Sequence, residues 1–143
     1  MQYAEIKKDK ALPLSKLKNT TLDDRYICSK DGRIFKVHRI GNRSYLCVPL
    51  KPYVDRQGYV EYVLTDRDGK KKHVLIHRVV AELFIPNRVK ARTQVNHIDG
   101  NKQNNDVNNL EWLTPSENII HMHRMYAAKR SMQMTIKKEK SNS

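Results

Sequence analysis

The succession between Thr93 and Asn118 limits the fold more than any other stretch of these 143 residues. Thr93 to Ile98 reads as a strand that ends on Asn96-His97. Asp99-Gly100-Asn101-Lys102-Gln103-Asn104-Asn105-Asp106 is too polar and turn-rich to be anything but loop, and Leu110 to Leu113 reads as a second strand. Thr114-Pro115-Ser116-Glu117 then supplies an N-cap threonine, a proline at the first helical position and a glutamate at the third, which is a capping box. Asn118 falls in the first turn of that helix, with His121 about one turn further on and on roughly the same face. Two strands, a long polar loop and a helix must therefore meet in about 25 residues.

The chain before this segment has a different texture. Residues 1–22 are Lys-rich with scattered leucines and no sustained period, and they read as a basic arm ordered in part or only on DNA. From Tyr26 onward, short β-like runs (Tyr26 to Cys28, Arg33 to Val37, Tyr45 to Val48) alternate with turn signals at Lys30-Asp31-Gly32 and Gly41-Asn42. A stronger hairpin follows, in which Tyr59 to Thr65 and Lys72 to His77 bracket Asp66-Arg67-Asp68-Gly69. Lys70, Lys71 and Lys72 crowd its turn, where they could reach phosphates or protect an edge strand. His77 to Ile85 carries apolar residues at 79, 80, 83 and 84 and stops at Pro86, as a short amphipathic helix does. After Asn118 the last helix runs on with a positive face, and Ile119, Met122 and Tyr126 form an apolar stripe expected to pack near the body. Lys137 to Ser143 is expected to fray.

Charge narrows the function. There are 28 Lys and Arg against 15 Asp and Glu, a formal +13. Residues 23–95 carry sixteen bases against eight acids, whereas residues 96–118 carry one against four. A basic body around a short acidic, Asn-rich centre suits a chain that grips phosphates and holds a cation against them. No apolar run is long enough to cross a bilayer, and the N-terminus lacks the apolar stretch of a signal peptide. Cys28 and Cys47, 19 residues apart and without a CxxC pair, argue against a disulfide scaffold or a four-ligand zinc site, so a reducing cytoplasm is expected.

Val95-Asn96-His97-Ile98-Asp99-Gly100-Asn101-Lys102, Asn108-Asn109-Leu110-Glu111-Trp112-Leu113-Thr114 and Glu117-Asn118 together resemble the ββα-metal, HNH or His-Me finger motif, most closely that of phage and intron-encoded HNH homing endonucleases. The upstream part, from Tyr26 through Gly58-Tyr59 to Ala81, is similar to the β-rich module that commonly precedes HNH in that family. The resemblance implies that His97 is the general base, that Asn118 and Asn96 are metal ligands, and that Asn109 ties the loop to the strand and so aims His97. Imidazole suits the first role because it can be neutral near pH 7 and still accept a proton. Asn96 stands where the family often has Asp or His. Two amide oxygens favour one Mg²⁺ or Mn²⁺ per site over Zn²⁺, bound weakly until substrate phosphate completes the shell, with His121 or Asp99 as a further candidate ligand.

The expected architecture is α+β: an arm over 1–22, an antiparallel β-hairpin DNA-binding module over 23–90, the HNH motif over 91–126, and a basic helical or frayed tail over 127–143. The expected activity is metal-dependent hydrolysis of double-stranded DNA by a monomer in the cytoplasm of a phage-infected bacterial host. One site nicks one strand, and a dimer is needed only for a double-strand break. Expected DNA contacts are Arg33, Arg43, Lys70, Lys71, Lys72, Arg78, Lys102, Arg124, Lys129 and Arg130. Trp112 is expected in the core, and His77 as a structural residue at the start of its helix. The rivals are a catalytically inactive HNH-fold DNA-binding or packaging accessory protein and, on composition alone, an RNA-binding protein of ribosomal type.

Overall fold

Turn chemistry sets the strand order. The Asp55 carboxylate accepts the N–H groups of Gln57 and Tyr59 at 2.9 and 3.0 Å, and Asp66 accepts those of Asp68 and Lys70, both at 2.9 Å. Each closes a tight reversal by letting a side chain take the place of a backbone acceptor. The computed structural model describes residues 11–141, with side chains through Met134. Strands β1 (Ala11–Pro13), β2 (Tyr26–Ser29), β3 (Ile34–Arg39) and β4 (Tyr45–Pro49) form one antiparallel sheet in chain order. A second sheet holds β5 (Tyr53–Val54), β6 (Val60–Thr65) and β7 (Lys71–Leu75). Helix α1 (Ile76–Phe84) follows directly, then the pair β8 (Gln94–His97) and β9 (Leu110–Leu113), and finally α2 (Pro115–Ser141). The fold is α+β with antiparallel strands throughout.

One core joins the sheets. Leu14, Tyr26, Cys28 and Ile34 meet Tyr62 and Leu64 of the second sheet, Ile76, Val79, Val80 and Ala81 of α1, and Val95 and Leu110 of the last pair. The 76/79/80 spacing faces α1 inward, and the helix touches β2, β6, β7, β8 and β9. Period-2 burial along β6 does the same for Tyr62 and Leu64, while Val63 faces out. Trp112 packs on this core and donates its indole N–H to the Ile85 carbonyl at 3.0 Å. Cys28 is buried and Cys47 half-buried, both as free thiols.

Four expectations need correction. Residues 11–22 are not an arm: Ala11–Pro13 pair with Ile27–Ser29, Leu14 and Leu22 are buried, and the Thr21 hydroxyl donates to Asp66 at 2.8 Å. The open edge of β2 and the gap beneath α1 give those scattered leucines a place to bury. Residues 1–10 lie outside the described residues. The second strand of the strong hairpin ends at Leu75, so His77 is helical. Finally, Ile119, Met122 and Tyr126 are half or more exposed. Helix α2 packs on β8 and β9, while Met122 and Tyr126 line an open cleft instead of a packed face. The helix continues to Ser141 through the stretch expected to fray; residues 142–143 lie outside the described residues. Among the described residues no helix is long and apolar enough to cross a membrane.

Leu14 separates the two views of the N-terminal segment. Leu14→Ala should lower the unfolding free energy by about 2–5 kcal/mol, as truncating a buried leucine does, whereas an arm residue would leave it unchanged. Urea denaturation of the two chains makes the comparison.

Candidate active site

The capping box fixes where α2 starts. Thr114 Oγ1 accepts the Glu117 N–H at 3.1 Å and Glu117 Oε1 accepts the Thr114 N–H at 3.0 Å. The Thr114 backbone N–H, and after it the Arg92 guanidinium at 3.3 Å, hold the Glu117 carboxyl below the usual glutamate range. Asn118 is thereby delivered to the edge of β8, where its amide nitrogen donates to Gln94 Oε1 at 2.6 Å. Asn96 lies across the β8–β9 ladder from Glu111, and its amide nitrogen donates to Glu111 Oε1 at 3.0 Å. Both carboxamides are thus tied by their nitrogens. Their oxygens remain as acceptors, and both residues line one cleft of about 310 Å³ with His97, His121 and Lys102.

His97 is only 5% exposed, and its ring has a defined tautomer. Asn105 Nδ2 donates to the Lys102 carbonyl at 3.3 Å, which turns Asn105 Oδ1 toward His97 Nε2 at 2.8 Å. A carbonyl oxygen can only accept, so Nε2 carries the proton. In the neutral ring the lone pair then sits on Nδ1.

The loop that carries Asn105 is pinned on both sides. Asn109 accepts the Asp99 N–H at 3.0 Å and donates to Asp99 at 2.9 Å and to the Asn104 carbonyl at 2.8 Å. Asp99 spends its oxygens on Asn101, Asn104 and Asn109, and the Asn104 amide chiefly holds its carboxyl below the ordinary range. Asn109 therefore ties the loop, whereas the bond that aims His97 comes from Asn105. From the other side the Val107 N–H donates to the Lys30 carbonyl at 2.8 Å. Gly32, at φ +84°, lies so close that an added Cβ would stand 2.9 Å from Asn105 Cβ.

A cluster of rings backs His97. His77, 6% exposed, lies 5.1 Å from it between ring centroids, and Tyr59 stacks on His77 at 5.0 Å and 18°. Lys102 reaches over the Tyr59 ring at 4.6 Å and donates to the Gln57 carbonyl at 2.8 Å. His121 bonds through Nε2 to the Ile98 carbonyl at 3.1 Å, which leaves its Nδ1 toward other partners. Among the described residues no group of three or more His, Cys, Asp or Glu is placed to hold a metal. Hard amide oxygens are what the cleft offers, a set that fits a cation retaining several of its waters.

The predicted DNA contacts divide by place. Lys102 and Lys129 line the cleft, whereas Arg78 lines a different groove with Lys18 and Trp112, a guanidinium N–H on the Thr93 carbonyl at 3.5 Å. Lys70, Lys71 and Lys72 are exposed at the β6–β7 turn, and Arg43 is exposed at the β3–β4 turn. Arg33 pairs with Asp31 at 2.9 Å and sits over the Phe35 ring. Arg124 and Arg130 are exposed on α2, the latter beside Tyr126. Sequence reasoning missed Asn105, Gln94, Glu111 and Tyr59. Glu111 had a signal: pairing His97 with Leu110 puts it opposite Asn96.

Burial, and then the neighbouring His97, push the His77 pKa down to about 4. An unfolded imidazole takes its proton near 6.5, so between about 6.5 and 4 the unfolded chain binds more protons and stability falls as pH drops. Between pH 7 and 4.5 the wild-type chain should lose on the order of 2 kcal/mol more than His77→Phe. Urea unfolding of both chains at the two pH values checks this, and parallel losses would contradict it.

A family model described as HNH endonuclease matches residues 74–119. An uncharacterised HNH endonuclease of Acanthamoeba polyphaga mimivirus is 41% identical over 99 residues, which cover 69% of this chain and 27% of that protein. The SPbeta prophage-derived protein YosQ of Bacillus subtilis (strain 168), named as an HNH homing endonuclease, is 44% identical over 73 residues, 51% of this chain and 42% of that one. The chain spans less than half the length of these curated relatives. A solved structure of the HNH homing endonuclease I-HmuI, reported for its DNA binding and cleavage, matches with a TM-score of 0.64 over 90% of this chain and 68% of that one, at 24% identity. The likeness at that identity is one of fold. Residues 74–119 thus carry an HNH endonuclease domain, and the fold around them is shared with I-HmuI.

Proposed function

We propose that this chain is a divalent-cation-dependent DNA endonuclease of the homing type and of phage origin, acting in the bacterial cytoplasm and nicking one strand per event. The observation that carries the reading is the contact of His97 Nε2 with Asn105 Oδ1 at 2.8 Å: with Nε2–H given to that oxygen, Nδ1 would be the atom that takes a proton from water as that water attacks phosphorus. Asn96 and Asn118 would hold the cation through their amide oxygens, with His121 beside them. A bound Mg²⁺ or Mn²⁺ supplies charge that stabilises the phosphate and the departing 3′ oxygen. Lys102 and Lys129, which line the same cleft, would contact backbone phosphates flanking the scissile one, with Arg78 and the lysines of the β6–β7 turn extending the grip. One such site, acting as a monomer, leaves a 5′ phosphate and a 3′ hydroxyl on one strand; a double-strand break needs a second site. Relatedness to a prophage-derived homing endonuclease and the fold shared with I-HmuI support DNA as substrate.

Supercoiled plasmid with Mg²⁺ or Mn²⁺ tests this. The wild-type chain should give nicked circles, and His97→Ala should slow nicking by about 10²–10⁴-fold. Asn118→Ala should lose activity, with part of it returning at high Mn²⁺. Band shifts without nicking in either metal would replace the enzyme by an inactive DNA-binding protein. Calorimetry should find weak Mg²⁺ binding to the free chain and tighter binding once DNA is present. Removing the charges of Lys70, Lys71 and Lys72 should weaken DNA binding and reduce its salt slope by up to about one for each phosphate that those lysines neutralise. An unchanged slope would take that turn off the phosphates.

A further inference from the structure

His77 is buried beside the proposed base, yet the chemistry above gives it nothing to do. Its Nδ1 is sealed from solvent and has no hydrogen-bond partner among the described residues. A histidine kept for hydrogen bonding would have that nitrogen paired. What His77 does offer is its ring. Centroid distances of 5.0 Å to Tyr59, 5.1 Å to His97 and 6.2 Å between Tyr59 and His97 describe three aromatic rings meeting in a triangle. The His97 imidazole is thus held at Nε2 by Asn105 and packed by two rings.

We propose that His77, acting with Tyr59, is a positioning residue for His97: its flat ring fills the space into which the imidazole would otherwise turn, and so keeps Nε2 on Asn105 and Nδ1 on the water. Without that ring, the space beside His97 admits water or a turned imidazole, and either competes with Asn105 for the ring nitrogens. Burial also keeps His77 uncharged at neutral pH, so no cation at this position opposes His97 when it accepts a proton. A lysine or arginine at 77 would pack and charge the site differently. Helix α1 is therefore part of the catalytic support as well as of the core, and the family match beginning at residue 74 takes it in.

The inference rests on the nuclease reading for its rate arm and is independent of it for its spectroscopic arm. Two variants of similar bulk separate ring from filler: His77→Phe keeps a flat ring, and His77→Leu fills the space without one. Long-range ¹H–¹⁵N correlation on the free 143-residue chain reads the His97 tautomer directly. Wild type and His77→Phe should both show the Nε2–H form, while His77→Leu should show averaged nitrogens. Nicking by His77→Phe should stay within about threefold of wild type, and His77→Leu should fall on the order of tenfold to a hundredfold with DNA affinity unchanged. A His97 tautomer and nicking rate preserved in His77→Leu would overturn the proposal, as would loss of both in His77→Phe. Should the spectra follow the expected order while wild type cleaves no DNA, the positioning role stands and the nuclease reading falls.

Discussion

The hydrogen bond between His97 Nε2 and Asn105 Oδ1 is the constraint on which the site depends. It is buried, so losing it would strand a polar group on each side at a cost of about 1–3 kcal/mol. Its direction follows from chemistry, because Asn105 Nδ2 is committed to the Lys102 carbonyl and only the oxygen can face the ring. One amide therefore decides which imidazole nitrogen is basic, and a loop eight residues beyond the strand decides where that amide stands.

The rest of the fold holds the loop in place. Lys30 receives the Val107 N–H, Gly32 leaves room against Asn105, and Lys102 is seated on Tyr59 and the Gln57 carbonyl. Lys30, Gly32, Gln57 and Tyr59 all lie in the β-rich part, so the two regions distinguished in the sequence act as one body around a shared core. Glu111 and Gln94 perform the same service for the carboxamides of Asn96 and Asn118 by taking their nitrogens. A carboxylate thus stands beside Asn96, one strand away from the position where the family often has its own. The acidic balance of residues 96–118 has a structural expression in that arrangement.

Local chemistry is legible in the sequence and remote packing is not. Thr114 to Glu117 announce the start of α2 because a capping box is written in four consecutive residues, and the β6–β7 hairpin is visible from its turn. Asn105 is hidden among Asn101, Asn104, Asn108 and Asn109, all suited to turns, and only the three-dimensional path of the loop selects the one that meets His97. Leu14 reads as part of an arm because its segment packs on β2 and α1, which the local pattern of residues 11–22 does not reveal. The stripe of Ile119, Met122 and Tyr126 has the spacing of a buried face, but spacing carries no information on whether another element lies opposite. His77 has a structural place at a helix start on pattern alone; its contact with His97 depends on how α1 crosses β8.

Paramagnetic broadening by Mn²⁺ tests the central claim most directly, using the His97→Ala chain bound to duplex DNA so that no strand is cut. Sub-stoichiometric Mn²⁺ should bleach the side-chain amide signals of Asn96 and Asn118 first and leave that of Asn42, at the far β3–β4 turn, sharp. If Asn96 and Asn118 stay sharp while signals elsewhere broaden, the cation does not sit between the two carboxamides, and the account of the site is wrong.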